Sequence, residues 1–416
     1  MEKLRVGFIG AGFISRFQIQ ALRWVRNVEL TAVCSRSIES ARSLAEYARQ
    51  QEVGDCQAYA TVAEVCRNCD AVAVFAPNFA RVEHMEQIAE AVKAGAPLKG
   101  IICEKPLART VAEARRVVEL AKSTGLPTAY LENQLHMKCV RNAISQLTPQ
   151  QMAMGPMSIV RTSEEHAGPH NPWFWDPTRQ GGGALSDLAC HSIAVAWYLL
   201  TPVGKPVTFL EPVSVMAETS LLKWGQPGPR QDLLNRMGVD YSKTPAEDFC
   251  TGLITFRNPE TGQRVQGQFT TSWMYDKQGL RIYMDGMGPG YAFEINSLKS
   301  PLEVFVGDAA ASAVANAETA IEKATASRGL IPVQPNEADL FGYVDELVDV
   351  RHAFLEGRDA FLGVEYGLEI TRLCQAAYLS AEERRTVDLT DPATNHRLET
   401  YTSLIAQGRG LEVFNR

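Results

Sequence analysis

A glycine-containing turn near the N-terminus constrains the fold of this chain more than any other feature. The turn, Gly10-Ala11-Gly12, follows an apolar β-type run, Leu4–Ile9, and precedes a helical stretch from Ser15 to Arg26. Gly10 permits a tight turn, and Gly12 has no Cβ, so a ligand can approach the backbone closely. Free N–H groups and the helix dipole favour an anion there. The turn in this context therefore predicts a site for a dinucleotide pyrophosphate, contacted by Gly10, Gly12, Phe13 and Ile14.

Strands and helices alternate along the first 135 residues. The strand-like runs are Leu4–Ile9, Glu29–Cys34, Ala71–Ala76, Ile101–Cys103 and Thr128–Leu131. The helical stretches are Ser15–Arg26, Ser37–Gln50, Val82–Ala94 and Val111–Ser123. Alternation with apolar strands is typical of a parallel sheet covered on both faces. Residues 1–135 are therefore predicted to form an α/β Rossmann domain.

Residues 136–416 are predicted to form an α+β domain with a large, mainly antiparallel open sheet. Its strand-like runs are Met157–Thr162, Val213–Thr219, Phe249–Phe256, Val265–Thr271, Leu280–Met284 and Leu302–Val306. The predicted helices are Leu188–Leu200, Val344–Leu355 and Tyr366–Ser380. The polar stretches Gly225–Thr244 and Asp308–Ser327 are expected to be loops or surface helices. The tail after Thr390 is expected either to be loose or to embrace a partner subunit.

Composition limits the class of protein. The net charge of −7 in 416 residues argues against nucleic acid or an anionic membrane as a partner. The longest strongly apolar run, Ile193–Leu200, is far shorter than the roughly 20 residues of a membrane span. Nine cysteines, an odd and sparse set, fit a reducing cytoplasm, and Cys66 and Cys69 are interpreted as free thiols. We expect a cytoplasmic protein.

The end of the second strand bears on which dinucleotide binds. The strand ends in Val33-Cys34-Ser35-Arg36. An acidic residue here would bind the ribose 2′-hydroxyl of NAD, whereas Ser35 and Arg36 suit the 2′-phosphate of NADP. The alternative is that Arg36 begins the next helix in water and NAD binds. The expected cofactor is NAD or NADP, with Ser35 and Arg36 favouring NADP.

Three further segments of the sequence carry motifs that bear on function together with the glycine turn. They are Ala76-Pro77-Asn78, Glu104-Lys105-Pro106 and the run from Gly181-Gly182-Gly183 through Asp187 to His191. With them the chain resembles the Gfo/Idh/MocA oxidoreductases, the relatives of glucose–fructose oxidoreductase and inositol dehydrogenase. The resemblance implies hydride transfer between a nicotinamide and a sugar, glycoside or cyclitol carbon. It also implies a catalytic trio of Lys105, Asp187 and His191.

Each member of the trio has a chemical reason. A lysine at the C-terminal end of a parallel strand points into the crevice where such sheets bind ligands, so Lys105 would stabilise negative charge on the substrate oxygen. His191 would act as general base, because imidazoles titrate near neutral pH. Asp187 would orient His191 or hold a neighbouring hydroxyl. The alternative for His191 and Asp187 is purely structural: a buried histidine that forms its hydrogen bonds within the protein, and an Asp that caps the start of a helix.

Other residues complete the expected site. The cofactor-binding set adds Ala76, Pro77, Asn78, Glu104, Lys105 and Asn133. The substrate set is Gln134, His166, His170, Trp173, Trp175, Asp187 and His191. Aromatic faces stack on pyranose C–H surfaces and histidines bond hydroxyls, so residues 164–176 are interpreted as a sugar-specificity loop. The alternative is an aromatic plug between the domains. No metal site is expected, since no Cys or carboxylate set with ligand spacing joins the two histidines.

Three functions remain open from the sequence. The first is an NAD(P)-dependent sugar or polyol dehydrogenase. The second is a glycosidase that oxidises its substrate transiently, eliminates the aglycone, adds water and re-reduces the carbon. The third is a non-catalytic dinucleotide-binding sensor, which the joint presence of Lys105, Asp187 and His191 disfavours. A homodimer or homotetramer through the C-terminal sheet is also expected.

Overall fold

The chain folds into two units, each built around its own β-sheet. The computed structural model describes residues 2–277, 279–299, 303–306, 319–321, 324–326, 329–332 and 336–415. Unit 1 comprises Met1–Lys138 and Ala338–Thr371, and unit 2 comprises Cys139–Glu337 and Arg372–Arg416. The sequence had suggested a single division near residue 135, with everything after it in the second domain.

The helices are numbered in chain order. They are α1 (Phe13–Leu22), α2 (Ile38–Gln50), α3 (Val62–Arg67), α4 (Arg81–Lys93), α5 (Val111–Thr124), α6 (Lys138–Met154), α7 (Pro177–Gln180), α8 (Cys190–Leu200), α9 (Pro227–Met237), α10 (Glu337–Leu340), α11 (Tyr343–Leu355), α12 (Val364–Glu383), α13 (Pro392–Thr400) and α14 (Gly410–Phe414). A π-helical turn, Leu185–Ala189, leads directly into α8.

A six-stranded sheet forms the centre of unit 1. Its strands are β1 (Leu4–Ile9), β2 (Val28–Cys34), β3 (Gln57–Tyr59), β4 (Ala71–Val74), β5 (Gly100–Glu104) and β6 (Thr128–Leu131). All neighbouring pairs are parallel, in the order β3-β2-β1-β4-β5-β6. The order reverses between β1 and β4, which is where doubly wound sheets form their ligand crevice. This confirms the predicted Rossmann architecture and adds β3 and α3.

Residues 338–371 belong to unit 1 because they pack against its N-terminal residues and form hydrogen bonds with them. Phe354 of α11 lies against Gly100, where an added Cβ would come within 2.3 Å of the ring. The buried Gln18 amide donates to Glu346 at 3.2 Å. Arg351 donates to the carbonyl oxygen of Glu2 at 2.6 Å. These contacts join segments more than 250 residues apart, so local sequence patterns cannot predict them.

A seven-stranded sheet forms the centre of unit 2. Its strands are β7 (Ile159–Glu165), β8 (Glu211–Ser220), β9 (Phe249–Arg257), β10 (Arg264–Ser272), β11 (Arg281–Gly288), β12 (Tyr291–Asn296) and β17 (Val387–Asp388). The order is β12-β11-β7-β10-β9-β8-β17, antiparallel throughout except for the β7–β10 pair. The expected mainly antiparallel sheet is confirmed. Two short ladders add β13 (Glu303–Val306) with β16 (Gly329–Pro332), and β14 (Thr319–Ile321) with β15 (Ala324–Ala326).

Helix α8 packs on strands β7 and β10. The stretch Pro177–Leu200 is apolar and long enough to cross a membrane, but 94% of its most apolar window is buried inside the protein. Burial of this kind is typical of the core helix of a folded domain. The predicted helix over 188–200 was placed too late, because its π-helical first turn begins at Leu185.

Three other expectations for the second half can be compared with the structure. The tail after Thr390 is not loose, since it forms α13 and α14 and buries Leu398 and Ile405. The polar stretch 225–244 was expected to form loops or surface helices, and this is confirmed, since it contains the helix α9, in which Leu233 is the buried residue. The predicted strand Leu302–Val306 is described from Glu303 onward, and the stretch Asp308–Ser327 lies largely outside the described residues.

Candidate active site

The glycine turn after β1 has the geometry that a dinucleotide requires. Gly10 has a φ of +111°, and a Cβ on it would lie 2.7 Å from the backbone nitrogen of Ala76. Gly12 caps α1 with no side-chain hydrogen bond, and a Cβ on it would meet no atom within 4 Å. The first N–H groups of an α-helix have no acceptor within the helix, and such an N-terminus is where a pyrophosphate binds. Phe13, 40% exposed, and the half-buried Ile14 follow directly.

Ser15 takes a structural role in this turn. It stands where Gly or Ala is usual in turns of this kind. Its hydroxyl donates to the carbonyl oxygen of Gly10 at 2.8 Å, and its side chain is buried. The serine hydroxyl thus stabilises the turn through a carbonyl oxygen and does not occupy the backbone N–H groups of α1.

A basic side chain, Arg36, is exposed to solvent just after the end of β2. Ser35, before it, is half-buried. The next residue, Ser37, is the N-cap of α2 and accepts a hydrogen bond from the backbone N–H of Ser40 at 3.3 Å. Arg36 therefore lies just ahead of a helix N-terminus, a position that suits an anionic group on a bound ribose.

The ends of β4 and β5 are joined by a buried arginine that the sequence analysis missed. Arg81, 1% exposed, donates hydrogen bonds to the carbonyl oxygens of Val74 and of Glu104, the latter at 2.8 Å. Burial lowers the pKa of its guanidinium. Ala76 and Asn78 are buried beside it in the chain, and Lys105 is half-buried. Arg81 thus fixes the carbonyl group of the residue that precedes Lys105.

The segment after β6 is buried within unit 1. Asn133 is 5% exposed and donates from its amide to the carbonyl oxygen of Phe341 at 2.7 Å. Gln134 is 2% exposed, and its backbone N–H donates to the carboxylate of Glu132 at 3.4 Å. The structure therefore places both residues in a packed turn, and their assignment to cofactor and substrate stays a prediction.

In unit 2, Asp187 lies beside an imidazole and an indole. The Oδ2 atom of Asp187 is 3.6 Å from Nε2 of His166 and accepts a hydrogen bond from Nε1 of Trp273 at 3.2 Å. All three side chains are buried. The Nδ1 atom of His166 accepts a hydrogen bond from the backbone N–H of Gly168 at 3.0 Å, so a neutral ring carries its proton on Nε2, towards Asp187.

His191 lies beside a second carboxylate. Its Nε2 atom is 3.9 Å from Oε2 of Glu164, and both side chains are buried. Glu164 and His166 are two residues apart at the end of β7, so they project from the same face of the strand. The end of β7 and the helical segment that begins at Leu185 thus bring together two carboxylates and two imidazoles in unit 2.

The sequence analysis singled out three of these four ionisable residues and missed Glu164 as a partner of His191. It also missed Trp273. One sequence pattern could have identified Glu164 as a site residue. It alternates with His166 along a predicted strand-to-loop segment. No such pattern identifies Trp273, since its contact with Asp187 spans 86 residues of chain.

The aromatic stretch before the glycine run divides into buried and exposed parts. Trp175, 2% exposed, packs against Trp224, Tyr241 and Trp273, with ring centroids 5.0–5.4 Å apart. Its indole N–H donates to the carbonyl oxygen of Pro169 at 3.0 Å. Trp175 is therefore packed inside unit 2, and its assignment to the substrate stays a prediction.

Trp173 and His170 lie nearer to solvent. Trp173 is half-buried and stacks on Phe174 with centroids 3.9 Å apart. His170 is exposed, whereas His166 is 1% exposed. The two histidines, which the sequence suggested as a pair, therefore occupy different environments, and only His166 lies next to Asp187.

Both units match models of one protein family. Residues 4–130 match the Gfo/Idh/MocA model described as an oxidoreductase family with an NAD-binding Rossmann fold. Residues 150–287 match the model of the Gfo/Idh/MocA C-terminal domain. The expected family, and the expected nicotinamide dinucleotide cofactor of the Rossmann domain, are confirmed by these matches.

Individual relatives are distant. The chain is 28% identical over 292 residues to D-glucoside 3-dehydrogenase of Escherichia coli, covering 67% of this chain and 77% of that protein. It is 27% identical over 213 residues to an uncharacterized protein of Saccharomyces cerevisiae, YMR315W, covering 49% of this chain and 57% of the yeast protein. The crystal structure of GenD2 from gentamicin A biosynthesis, a complex with NAD, aligns with a TM-score of 0.72 at 22% identity, over 94% of this chain and 97% of GenD2.

Proposed function

Because this chain belongs to the Gfo/Idh/MocA oxidoreductase family, we propose that it is an NAD(P)-dependent dehydrogenase acting on a secondary alcohol carbon of a sugar, glycoside or cyclitol. The observation that carries the proposal is the cluster of Glu164, His166, Asp187 and His191, buried together in unit 2. Burying four ionisable groups is costly unless they serve one another or a polar ligand.

The residues of unit 1 fit the dinucleotide. The backbone N–H groups at the start of α1 would bind the pyrophosphate, with Gly10 allowing the tight turn and Gly12 leaving room for the ligand. Arg36 and Ser35 would bind a ribose 2′-phosphate, which favours NADP over NAD. When bound, the nicotinamide supplies the acceptor or donor of the hydride.

The remaining roles belong to side chains of the chain itself. His191 would take the proton of the substrate hydroxyl, and the carboxylate of Glu164 would stabilise the imidazolium that results. Lys105 would donate a hydrogen bond to the same substrate oxygen and stabilise its developing negative charge. Asp187, held by Trp273, would accept a hydrogen bond from a neighbouring hydroxyl.

The substrate class follows from the donors and acceptors. Paired carboxylates and imidazoles offer hydrogen bonds to several hydroxyls at once, which suits a polyhydroxylated ring. The similarity to a D-glucoside 3-dehydrogenase supports a glycoside or free sugar as the first candidate.

The test is a substrate screen with matched variants. The purified protein is incubated with NAD or NADP and a panel of hexoses, glucosides and inositols, and reduced nicotinamide is followed by absorbance. We expect His191→Ala and Lys105→Ala each to lower kcat/KM by about 10²–10⁴-fold, the usual contribution of a positioned acid or base. The control His396→Ala, at an exposed position of α13, should be unaffected. Full activity in His191→Ala would refute the assignment.

A redox-neutral glycosidase is the second candidate. The presence of two separate imidazole–carboxylate pairs favours it, because such a reaction needs a base for a carbon-bound proton as well as one for the hydroxyl. Bond cleavage of an aryl glucoside without net reduced nicotinamide, with solvent deuterium appearing beside the oxidised carbon, would support this candidate over the dehydrogenase.

A further inference from the structure

Two side chains remote in sequence hold the backbone turn that leads to Asp187. One carboxylate oxygen of Glu247, Oε1, accepts hydrogen bonds from the backbone N–H groups of Gly183 at 2.9 Å and Leu185 at 3.0 Å. The carbonyl oxygen of the same residue accepts from the N–H of Ala184 at 3.0 Å. Glu247 thus binds three successive N–H groups at the start of the helical segment.

Tyr378 completes this arrangement from α12. Its hydroxyl donates to Oε1 of Glu247 at 2.7 Å. The same hydroxyl oxygen accepts from the N–H groups of Gly183 and Ser186, both at 3.2 Å. All four N–H groups of residues 183–186 therefore have acceptors, although the segment has no capping side chain of its own. Because Asp187 donates its N–H to the carbonyl oxygen of Gly183 at 3.1 Å, its backbone position follows from theirs.

The approach of these two side chains explains two glycines of the run at 181–183. A Cβ on Gly182 would lie 1.8 Å from the hydroxyl oxygen of Tyr378. A Cβ on Gly183 would lie 2.1 Å from the carbonyl oxygen of Glu247. Neither distance is possible between non-bonded atoms, so the glycines are needed for Glu247 and Tyr378 to reach the backbone.

The surroundings of Glu247 are closed to water. The residue is 0% exposed, and its Oε2 atom has no hydrogen-bond partner among the described residues. The titratable groups that face it are Tyr241, Cys250 of β9 and Tyr378 of α12, with Asp248 next in the chain. Burial disfavours the charged carboxylate, while hydrogen bonds and the N-terminus of the helical segment favour it.

We propose that Glu247 and Tyr378 are positioning residues, which fix the backbone of residues 183–186 so that Asp187 and His191 meet His166 and Glu164. The proposal deepens the proposed function and rests on it for the meaning of the cluster. Both residues bind the backbone N–H groups of the turn, and each would act through it.

The test uses three variants that remove different hydrogen-bonding groups from the turn at residues 183–186. Glu247→Gln keeps an oxygen acceptor for both N–H groups and for Tyr378, and places its amide nitrogen at the Oε2 position. Glu247→Ala removes the acceptor, and Tyr378→Phe removes the hydroxyl. We expect kcat to fall by about 10²-fold in Glu247→Ala, as for a misplacement of about 1 Å, with KM within a few-fold of wild type. Glu247→Gln should recover most of this loss, and Tyr378→Phe should lie between.

The matched control is a similar contact elsewhere in unit 2. The carboxylate of Glu382 accepts from the hydroxyl of Tyr401 at 2.7 Å and from the backbone N–H of Leu404 at 2.5 Å. Glu382→Ala should leave kcat unchanged. An equal loss of kcat in Glu382→Ala, or wild-type kcat in folded Glu247→Ala, would overturn the proposal.

A second readout separates this proposal from the proposed function. The imidazole signals of His166 and His191 are recorded by NMR in wild type, Glu247→Gln and Glu247→Ala. We expect the signals of both rings to move in Glu247→Ala and to stay near wild type in Glu247→Gln. If the wild type oxidises no polyol, the proposed function fails while this measurement still decides the positioning role. If the signals do not move in Glu247→Ala, the positioning role fails whatever the activity.

Discussion

The stability of unit 2 should depend on pH through Glu247. Burial raises the pKa of its carboxyl from 4.5 to about 7, although the hydrogen bond from Tyr378 and those from backbone N–H groups oppose the change. The folded state therefore holds this proton more tightly than the unfolded state. The resulting stabilisation is complete below about pH 4.5 and is lost as the pH rises through about 7.

The size of the effect follows from the two pKa values. A difference of about 2.5 pKa units, at about 1.4 kcal/mol for each unit, corresponds to a loss of about 3–4 kcal/mol between the two limits. Glu247→Gln cannot titrate and should lack this contribution. Tyr378→Phe removes a donor to the charged form, so it should raise the pKa of Glu247 further and enlarge the loss.

The assay is urea unfolding at several pH values between 4.5 and 8, followed by tryptophan fluorescence. Of the six tryptophans only Trp24, which is 60% exposed, lies in unit 1. A Trp24→Phe background therefore makes the signal specific for unit 2. The quantity compared is the change in unfolding free energy with pH, wild type against Glu247→Gln, since other groups titrate equally in both. Identical pH dependence in the two proteins would refute the reasoning.

Three further predictions concern other contacts. Gly183→Ala should destabilise unit 2 by about 1–3 kcal/mol in urea unfolding because its Cβ would overlap the carbonyl of Glu247, whereas Gly228→Ala, with no atom within 4 Å, should change stability by less than about 1 kcal/mol. Arg36→Ala should raise KM for NADP by at least about 10-fold and spare NAD, measured by steady-state kinetics; equal effects on both would exclude a 2′-phosphate contact. Trp273→Phe removes an N–H donor to a carboxylate, worth about 1.5–3 kcal/mol, so kcat/KM should fall by about 10–100-fold; an unchanged value would show that Asp187 is held without it.

The sequence predicted the elements whose signals are local. The strands of unit 1 are short apolar runs followed by helices, and the turn at Gly10 and Gly12 carries its own steric requirement, visible as a φ of +111° at Gly10. Five of the seven strands of the large sheet in unit 2 were also located, because apolar alternation and turn residues are local properties, whereas β12 and β17 were not predicted. The mainly antiparallel arrangement followed from the same pattern.

The remaining features of the candidate site depend on contacts between segments that are distant in the sequence. Glu164 and Trp273 reach the candidate site only once β7 and β10 pair, and Tyr378 reaches Gly183 across 195 residues of chain. The π-helical turn at Leu185–Ala189 is a rare local structure that the predicted α-helical pattern of residues 188–200 did not include. The sequence therefore indicated Asp187, His191 and His166 as site residues but not the side chains that hold them.

The return of residues 338–371 to unit 1 has a consequence for synthesis of the protein. When the ribosome has made only the first 138 residues, Gly100 faces the space that Phe354 later fills, and the carbonyl of Glu2 lacks the guanidinium of Arg351. The parallel sheet can form early, but its covering is incomplete until more than 200 further residues have emerged. A dinucleotide-binding fragment for expression should therefore carry 338–371 on a linker rather than stop at Lys138.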